Sequence, residues 1–290
     1  MNETEIGRRS LGTYSTKVGD ATVTVLLDGM IEAPLDIIVN IPQEAAKAAL
    51  DRHFRAVPVQ IAISAFLVEL DDERTLIDTG AGTLFGPTAG HVPALLRAIG
   101  VEPDSIARVA LTHIHSDHAG GVLDAAGRPA YPNSELVIGE AEAAYWRNPA
   151  AGDASNAMAA LARAMTAAYG ERLRLLPPGE VARGIELVPL PGHTPGHSGC
   201  RITSGDDALL IWGDVVHVPG IQLAHPEASL AFDVDPALAW QTRARVFDMA
   251  ASERLHVAGM HLEFPTFAHV ARDGAGYRLV PDAWRPEAPA

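Results

Sequence analysis

Cysteine occurs once in this 290-residue chain, as Cys200, so no disulfide can close within it and nothing points to an oxidising compartment. A lone cysteine is expected to be a small buried hydrophobe. Basic residues are also scarce. The 22 Lys and Arg stand against 36 Asp and Glu, for a formal net charge of -14, and no basic run is longer than Arg8-Arg9. Such a chain repels phosphate backbones, so nucleic acid is not an expected partner. No stretch approaches the ~20 apolar residues that span a bilayer, so neither is a membrane. The opening MNETEIGRRS is polar and lacks the apolar core of a signal peptide, which makes the expected location cytoplasmic. No Pro/Gly/Ser-rich linker and no fixed-period repeat divides the sequence. Residues 1–290 are therefore expected to form a single domain, with a short N-terminal extension over about 1–17.

The elements alternate between hairpins and helical crossings. Thr22–Leu27 reads as a strand ended by Asp28-Gly29. Gln60–Leu70 and Arg74–Gly80 read as a hairpin around Asp71-Asp72-Glu73. Ala107–Thr112 is a short apolar run expected to be a strand covered on both faces. Strands are also expected over Ser134–Ile138, Gly184–Leu190, Cys200–Thr203, Ala208–Trp212 and Leu255–Ala258, with a last hairpin turning at Asp273-Gly274. Helices are expected over Pro42–Asp51, His91–Gly100, Glu140–Trp146, Ala154–Tyr169 and Pro236–Ser252, the last with Asp235 as N-cap. Two sets of strands with helices outside them predict an α/β layered domain.

Against this background one stretch is crowded. LTHIHSDHAGG (Leu111–Gly121) holds three histidines and an aspartate in six consecutive positions, directly after a strand. Three more segments place a ligand-type residue just past a strand: PGHTPGHSG (Pro191–Gly199), IWGDVVH (Ile211–His217) and VAGMHLEFP (Val257–Pro265). Imidazole with carboxylate and no thiolate suits zinc and similar divalent ions. In an extended H-x-H the two rings point the same way, so His113 and His115 can grip one ion. Asp117 and His118 lie where the chain turns toward a helix and aim elsewhere. Two ions satisfy both aims: His113, His115 and His193 on one, Asp117, His118 and His261 on the other, with Asp214 bridging. A water shared by two such cations would be hydroxide at neutral pH, since one protein-bound zinc already brings its pKa to ~7. Asp117 or Asp214 could then carry a proton to the leaving group. Asp78, Thr112, Thr194 and His197 are candidates for supporting hydrogen bonds to the ligands. For His197 loop packing comes first, and His217 stays open as a pocket-lining residue. Trp146, Phe85 and Phe232 could line an apolar pocket or simply pack in the core. His53, His91, His225, His256 and His269 are expected to be structural or surface residues.

THIHSDHAGG, LIDTG (Leu76–Gly80), GHTPGHS and WGD, followed by His261, resemble in content and order the metallo-β-lactamase superfamily of dinuclear hydrolases. The resemblance covers about residues 20–270. It implies a four-layer αββα sandwich with two divalent ions at one edge, zinc first and Mn, Co or Fe as alternatives. WGDVVH, FDVD (Phe232–Asp235) and AGMHLEFP are similar to the branch that contains methyl parathion hydrolase and some acyl-homoserine-lactone lactonases. That branch implies a homodimer and a hydrolase acting on a small neutral lactone or aryl ester, with organophosphate triesters as the alternative substrate. The bridging Asp214 departs from the β-lactamase members, which lack it. A sensor that keeps the fold without turnover is a rival of another class, as is a diiron redox protein. His115 disfavours the redox reading, because the flavodiiron relatives place Glu there.

Overall fold

A computed structural model describes residues 12–147 and 153–283. Strands β1 (Thr13–Val18), β2 (Ala21–Ala33), β3 (Ile38–Val39), β4 (Val59–Leu70), β5 (Glu73–Ile77), β6 (Arg108–Leu111), β7 (Glu135–Gly139) and β8 (Leu173–Leu176) come first. They are followed by β9 (Gly179–Ala182), β10 (Ile185–Pro189), β11 (Ser198–Ser204), β12 (Asp207–Ile211), β13 (Ser229–Leu230), β14 (His256–Ala258), β15 (Ala268–Asp273) and β16 (Gly276–Pro281). One seven-stranded sheet has the order β1-β2-β4-β5-β6-β7-β8, and a second has β16-β15-β14-β12-β11-β10-β9. The pair β3 and β13 forms a separate ribbon.

The strands alternate side chains between faces, which splits the apolar residues into layers. Val23, Val25, Phe66, Val68, Ile77 and Ala110 of the first sheet meet Leu187, Cys200, Ile202, Leu209 and Ile211 of the second. Cys200 is thus a packed core residue whose thiol pKa is pushed up by burial. On its other face the first sheet packs Leu67, Leu76 and Leu136 against the helices Val92–Ala98, Glu140–Trp146 and Asp153–Tyr169. The helix Pro236–Glu253 covers the second sheet through Val246, Phe247 and Ala250. This is the α/β, four-layer αββα sandwich. As the Pro-start pattern predicts, Asp235 Oδ1 accepts the amide of Leu238 at 2.9 Å and caps that helix.

Two local readings need correction. Thr13–Lys17, placed in the N-terminal extension, belong with Val18 to the edge strand of the first sheet, paired in register with Ala21–Leu26. Asp28-Gly29 does not end β2. The register shifts between Leu27 and Gly29, and the strand runs on to Ala33. Asp28 is the extra residue of this bulge. Its fully buried carboxylate accepts the amides of Ala81, Gly90 and Val92, each at 2.9 Å, so the interruption of the ladder is satisfied by a neighbouring loop. Gly80, at φ +69, is needed there, because a Cβ would lie 2.2 Å from Asp28 Cγ. Among the described residues, no helix is long and apolar enough to cross a membrane.

Candidate metal centre

All the strand ends that carry ligand-type residues lie at one edge of the sandwich. β6 ends at Leu111, and the chain stays extended through His115 before the short helix Ser116–Ala119 turns Asp117 and His118 away. His193 lies between β10 and β11, Asp214 in the turn Gly213–Val215 after β12, and His261 after β14. First-sheet loops thus supply four of the seven residues and second-sheet loops three.

The structure brings all seven together in two groups. His115 Nδ1 lies 3.0 Å from His113 Nε2 and 2.8 Å from His193 Nε2. His118 Nε2 lies 3.3 Å from His261 Nε2 and 3.5 Å from Asp117 Oδ2. Asp214 stands between them. Its Oδ2 is 3.1 Å from His193 Nε2 and 3.5 Å from His113 Nε2. Its Oδ1 is 3.1 Å from His118 Nε2 and 3.2 Å from His261 Nε2.

The outward nitrogens show how these rings are held. Thr112 Oγ1 donates to Asp78 Oδ2 at 2.8 Å and so can accept from His113 Nδ1 at 3.1 Å. His118 Nδ1 donates to Asp78 Oδ2 at 2.8 Å, His193 Nδ1 to Asp233 Oδ1 at 2.8 Å, and His261 Nδ1 to the Ala62 carbonyl at 2.6 Å. Each of these four histidines therefore spends its Nδ1 proton outside and turns the Nε2 lone pair inward. Lone pairs converging at about 3 Å repel unless a proton or a cation lies among them. Burial opposes charge on His118, yet Asp214, Asp117 and Asp78 outweigh it and raise its pKa well above the usual range. Burial is likewise overcome at His193, which rises to about 9 through Asp214 and Asp233. Asp214 is held well below the usual carboxylate range by His118, His261 and His113, against the cost of burial. Burial pushes His113 well below the usual range and His115 down to about 3, so protons do not satisfy every inward nitrogen, and the pocket offers those donor atoms to a cation. Divalent cations suit such donors, and the two groups each have the compactness that could hold one.

Four further residues complete the arrangement. His217 Nε2 sits 3.0 Å from Asp214 Oδ2, with its ring stacked on His261 at 4.8 Å. His197 donates from Nδ1 to the Leu190 carbonyl and accepts the Asp214 amide at Nε2, at 2.8 Å. Burial brings its pKa down to about 3. Neither Asp233 nor Glu142 stands out in the sequence. Asp233 lies within the FDVD stretch, beside the ribbon strand β13. Glu142 shares one helix face with Ala143 and Trp146, so a carboxylate on an apolar stripe was the available signal. Glu142 Oε1 accepts from the Ile114 amide at 2.9 Å and from Trp146 Nε1 at 2.6 Å, and Oε2 accepts from Thr194 Oγ1 at 2.5 Å. Thr194 therefore serves Glu142 rather than a histidine. Trp146 is buried with its ring 5.7 Å from His115, and Phe232 lies half-exposed 5.3 Å from the His217 ring. Phe85 lies apart, in a groove with Met30, Leu27 and Leu95.

Comparison with known proteins places this geometry. The family pattern described as "Metallo-beta-lactamase superfamily" matches residues 59–261. A "probable metallo-hydrolase" of Mycobacterium tuberculosis is 27% identical over 192 residues, 56% of this chain, and the match spans 59% of that relative's length. The N-acyl homoserine lactonase AiiB of Agrobacterium fabrum is 34% identical over 82 residues, 22% of this chain and 30% of its own. Among solved structures, the hydrolase AbOPH superposes with a TM-score of 0.88 at 28% identity, covering 94% of this chain and 98% of its own. AidC, a dizinc quorum-quenching lactonase solved with a product, N-hexanoyl-L-homoserine, has the same TM-score and coverage at 25% identity. With its ligand-type residues on the strand-end loops of a two-sheet sandwich, this chain belongs to the metallo-β-lactamase superfamily.

Proposed function

We propose that the protein is a hydrolase that uses two divalent cations, zinc foremost, to cleave small neutral lactones or esters. His113, His115 and His193 would hold one ion, Asp117, His118 and His261 the other, and Asp214 would bridge them. The observation that carries this reading is the position of Asp214: each of its oxygens faces a different set of inward imidazole nitrogens. When bound, the ions would acidify a water into a nucleophile and polarise the substrate oxygen, in place of a backbone oxyanion hole.

The chain's own residues account for orientation and proton transfer. His217 steadies Asp214 through Oδ2, and His197 steadies it through the backbone amide. Asp117 is 16% exposed at its side chain against 2% for Asp214, which supports Asp117 over Asp214 as the carboxylate that would pass a proton to the leaving group. Trp146 and Phe232 offer aromatic wall on the side of His115 and His193. Among the described residues, no Lys or Arg side chain bonds to any of the seven. Arg243, buried on the helix that covers the second sheet, donates to the carbonyls of Val215, Pro226 and Ala228 instead. A neutral substrate matches a ligand set to which no cationic side chain bonds among the described residues. The lactonase relatives support a lactone first, an ester next.

The test is metal analysis of the purified protein, followed by a panel of acyl-homoserine lactones, aryl acetates and paraoxon-type triesters with defined metals. The expected result is two ions per chain and the highest kcat/KM on a lactone. Preference for triesters would move the assignment to organophosphate hydrolysis. Metal binding without turnover of any member would favour the sensor reading.

A further inference from the structure

We infer that Glu142 is a positioning residue that sets the spacing between the H-x-H loop and the His193 loop, and so governs the retention of one ion of the pair. The inference rests on the dinuclear reading above. Among the described residues, Glu142 makes no hydrogen bond to a ligand side chain. Its bonds go to the Ile114 amide, between His113 and His115, and to the hydroxyl of Thr194, next to His193. Every histidine of the first group is thus one residue from a Glu142 contact. Among the described residues, Glu142 makes no hydrogen bond to the helix Ser116–Ala119 that carries Asp117 and His118, nor to His261 and its neighbours.

The clamp is tight on both sides. Gly196 lies against the same helix, where a Cβ would come within 2.0 Å of the Glu142 amide nitrogen. Trp146, one turn along, is fixed by the same Oε1 and stands edge-on to His115 at 69°. The carboxylate is fully buried, and burial raises its pKa against the opposing pull of its hydrogen bonds and of nearby His193. A buried carboxylate of that kind is a costly way to join two loops unless their separation matters. The ring nitrogens of His115 and His193, 2.8 Å apart, belong one to each loop, so a small change in loop separation acts directly on that group.

The test compares wild type with Glu142→Gln and Thr194→Val after removal of metal, by titration with Co(II). Stoichiometry is read by calorimetry, coordination by the visible Co(II) spectrum, and folding by the melting temperature of the metal-free proteins. Glutamine keeps the volume but turns a donor toward Thr194 or the Ile114 amide. Thr194→Val removes only the His193 side. Wild type is expected to take two ions. Glu142→Gln is expected to bind one of them about ten- to a hundredfold more weakly, the scale for residues that support ligands. The other ion should hold its affinity within about twofold. Thr194→Val should shift the same ion in the same direction, by less. Equal affinities in all three proteins, or equal weakening of both ions in step with a lower melting temperature, would overturn the inference. Should Glu142→Gln not fold, an unchanged Thr194→Val overturns it. Fewer than two ions in wild type would mark failure of the dinuclear reading itself, before any variant is compared.

Discussion

His193 donates from Nδ1 to Oδ1 of Asp233 at 2.8 Å, while Oδ2 of the same carboxylate accepts the Leu230 amide at 2.9 Å. One aspartate therefore fixes both the tautomer of a ligand-type histidine and the end of the ribbon strand β13. Removing it by Asp233→Ala should free the ring and weaken metal binding about ten- to a hundredfold, with activity falling alongside. Metal content after dialysis against a weak chelator measures this. Full retention of both ions would show that His193 does not need Asp233.

Asp214→Ala should be more severe, because both groups lose the carboxylate they share. The expected outcome is loss of metal and a fall in kcat/KM of about a thousandfold or more, given the several kcal/mol of charge stabilisation that such ions supply. Inductively coupled plasma analysis beside a kinetic assay checks it. An active, metal-free variant would remove the metal mechanism.

Cations that bind only the folded chain must also stabilise it. At a free concentration of one hundred times Kd, an ion adds about 2.7 kcal/mol. For a chain of this size that corresponds to about 4–5 °C in Tm per ion. Calorimetry with and without chelator should show a drop of that order. An unchanged transition would mean that the imidazole clusters hold no ion in solution.

His197 carries a pH dependence with a definite sign. Its folded pKa is about 3 against 6.5 for the free side chain, because burial disfavours the charged ring. Below about pH 6.5 the unfolded chain takes up a proton that the folded chain refuses. Its contribution is therefore complete above that point and declines as pH falls toward 3. Between about pH 7.5 and about pH 5.5 metal-free wild type should lose about 1.4 kcal/mol more than His197→Gln. Urea unfolding at the two pH values measures the difference. Parallel losses would place the titration elsewhere.

Asp28→Ala would strand the amides of Ala81, Gly90 and Val92. The expected cost is about 3 kcal/mol or more, from about 1–3 kcal/mol for each buried donor left unpaired. Denaturant midpoints report it, and a loss below about 1 kcal/mol would mean that the loop re-satisfies itself.

Much of this was legible in the chain because strand ends and side-chain alternation are local. The run Ala107–Thr112 revealed β6, and H-x-H on an extended segment revealed that two rings share a direction. The pairing of distant loops came from the family resemblance and from the ends of apolar strands. What stayed hidden depends on contacts distant in sequence. Asp28 read as a turn because the three amides that satisfy it lie more than fifty residues away. Glu142 read as an ordinary helix residue because its partners sit on two other loops. Edge strand β1 lacked a strong apolar alternation, since most of it is only half-buried.

The bulge in β2 lets that strand and β4 run on beyond the rest of the first sheet, to the ribbon formed by β3 and β13. Phe232 lies two residues past the end of β13, with its ring 6.0 Å from that of His193. Phe232 is thus carried by the ribbon segment and Trp146 by a helix, whereas the inward imidazoles hang from the ends of the central strands. Aromatic walls and ligand-type residues are in this way written on separate lengths of chain, and one can be rewritten by evolution or by hand while the other is left intact.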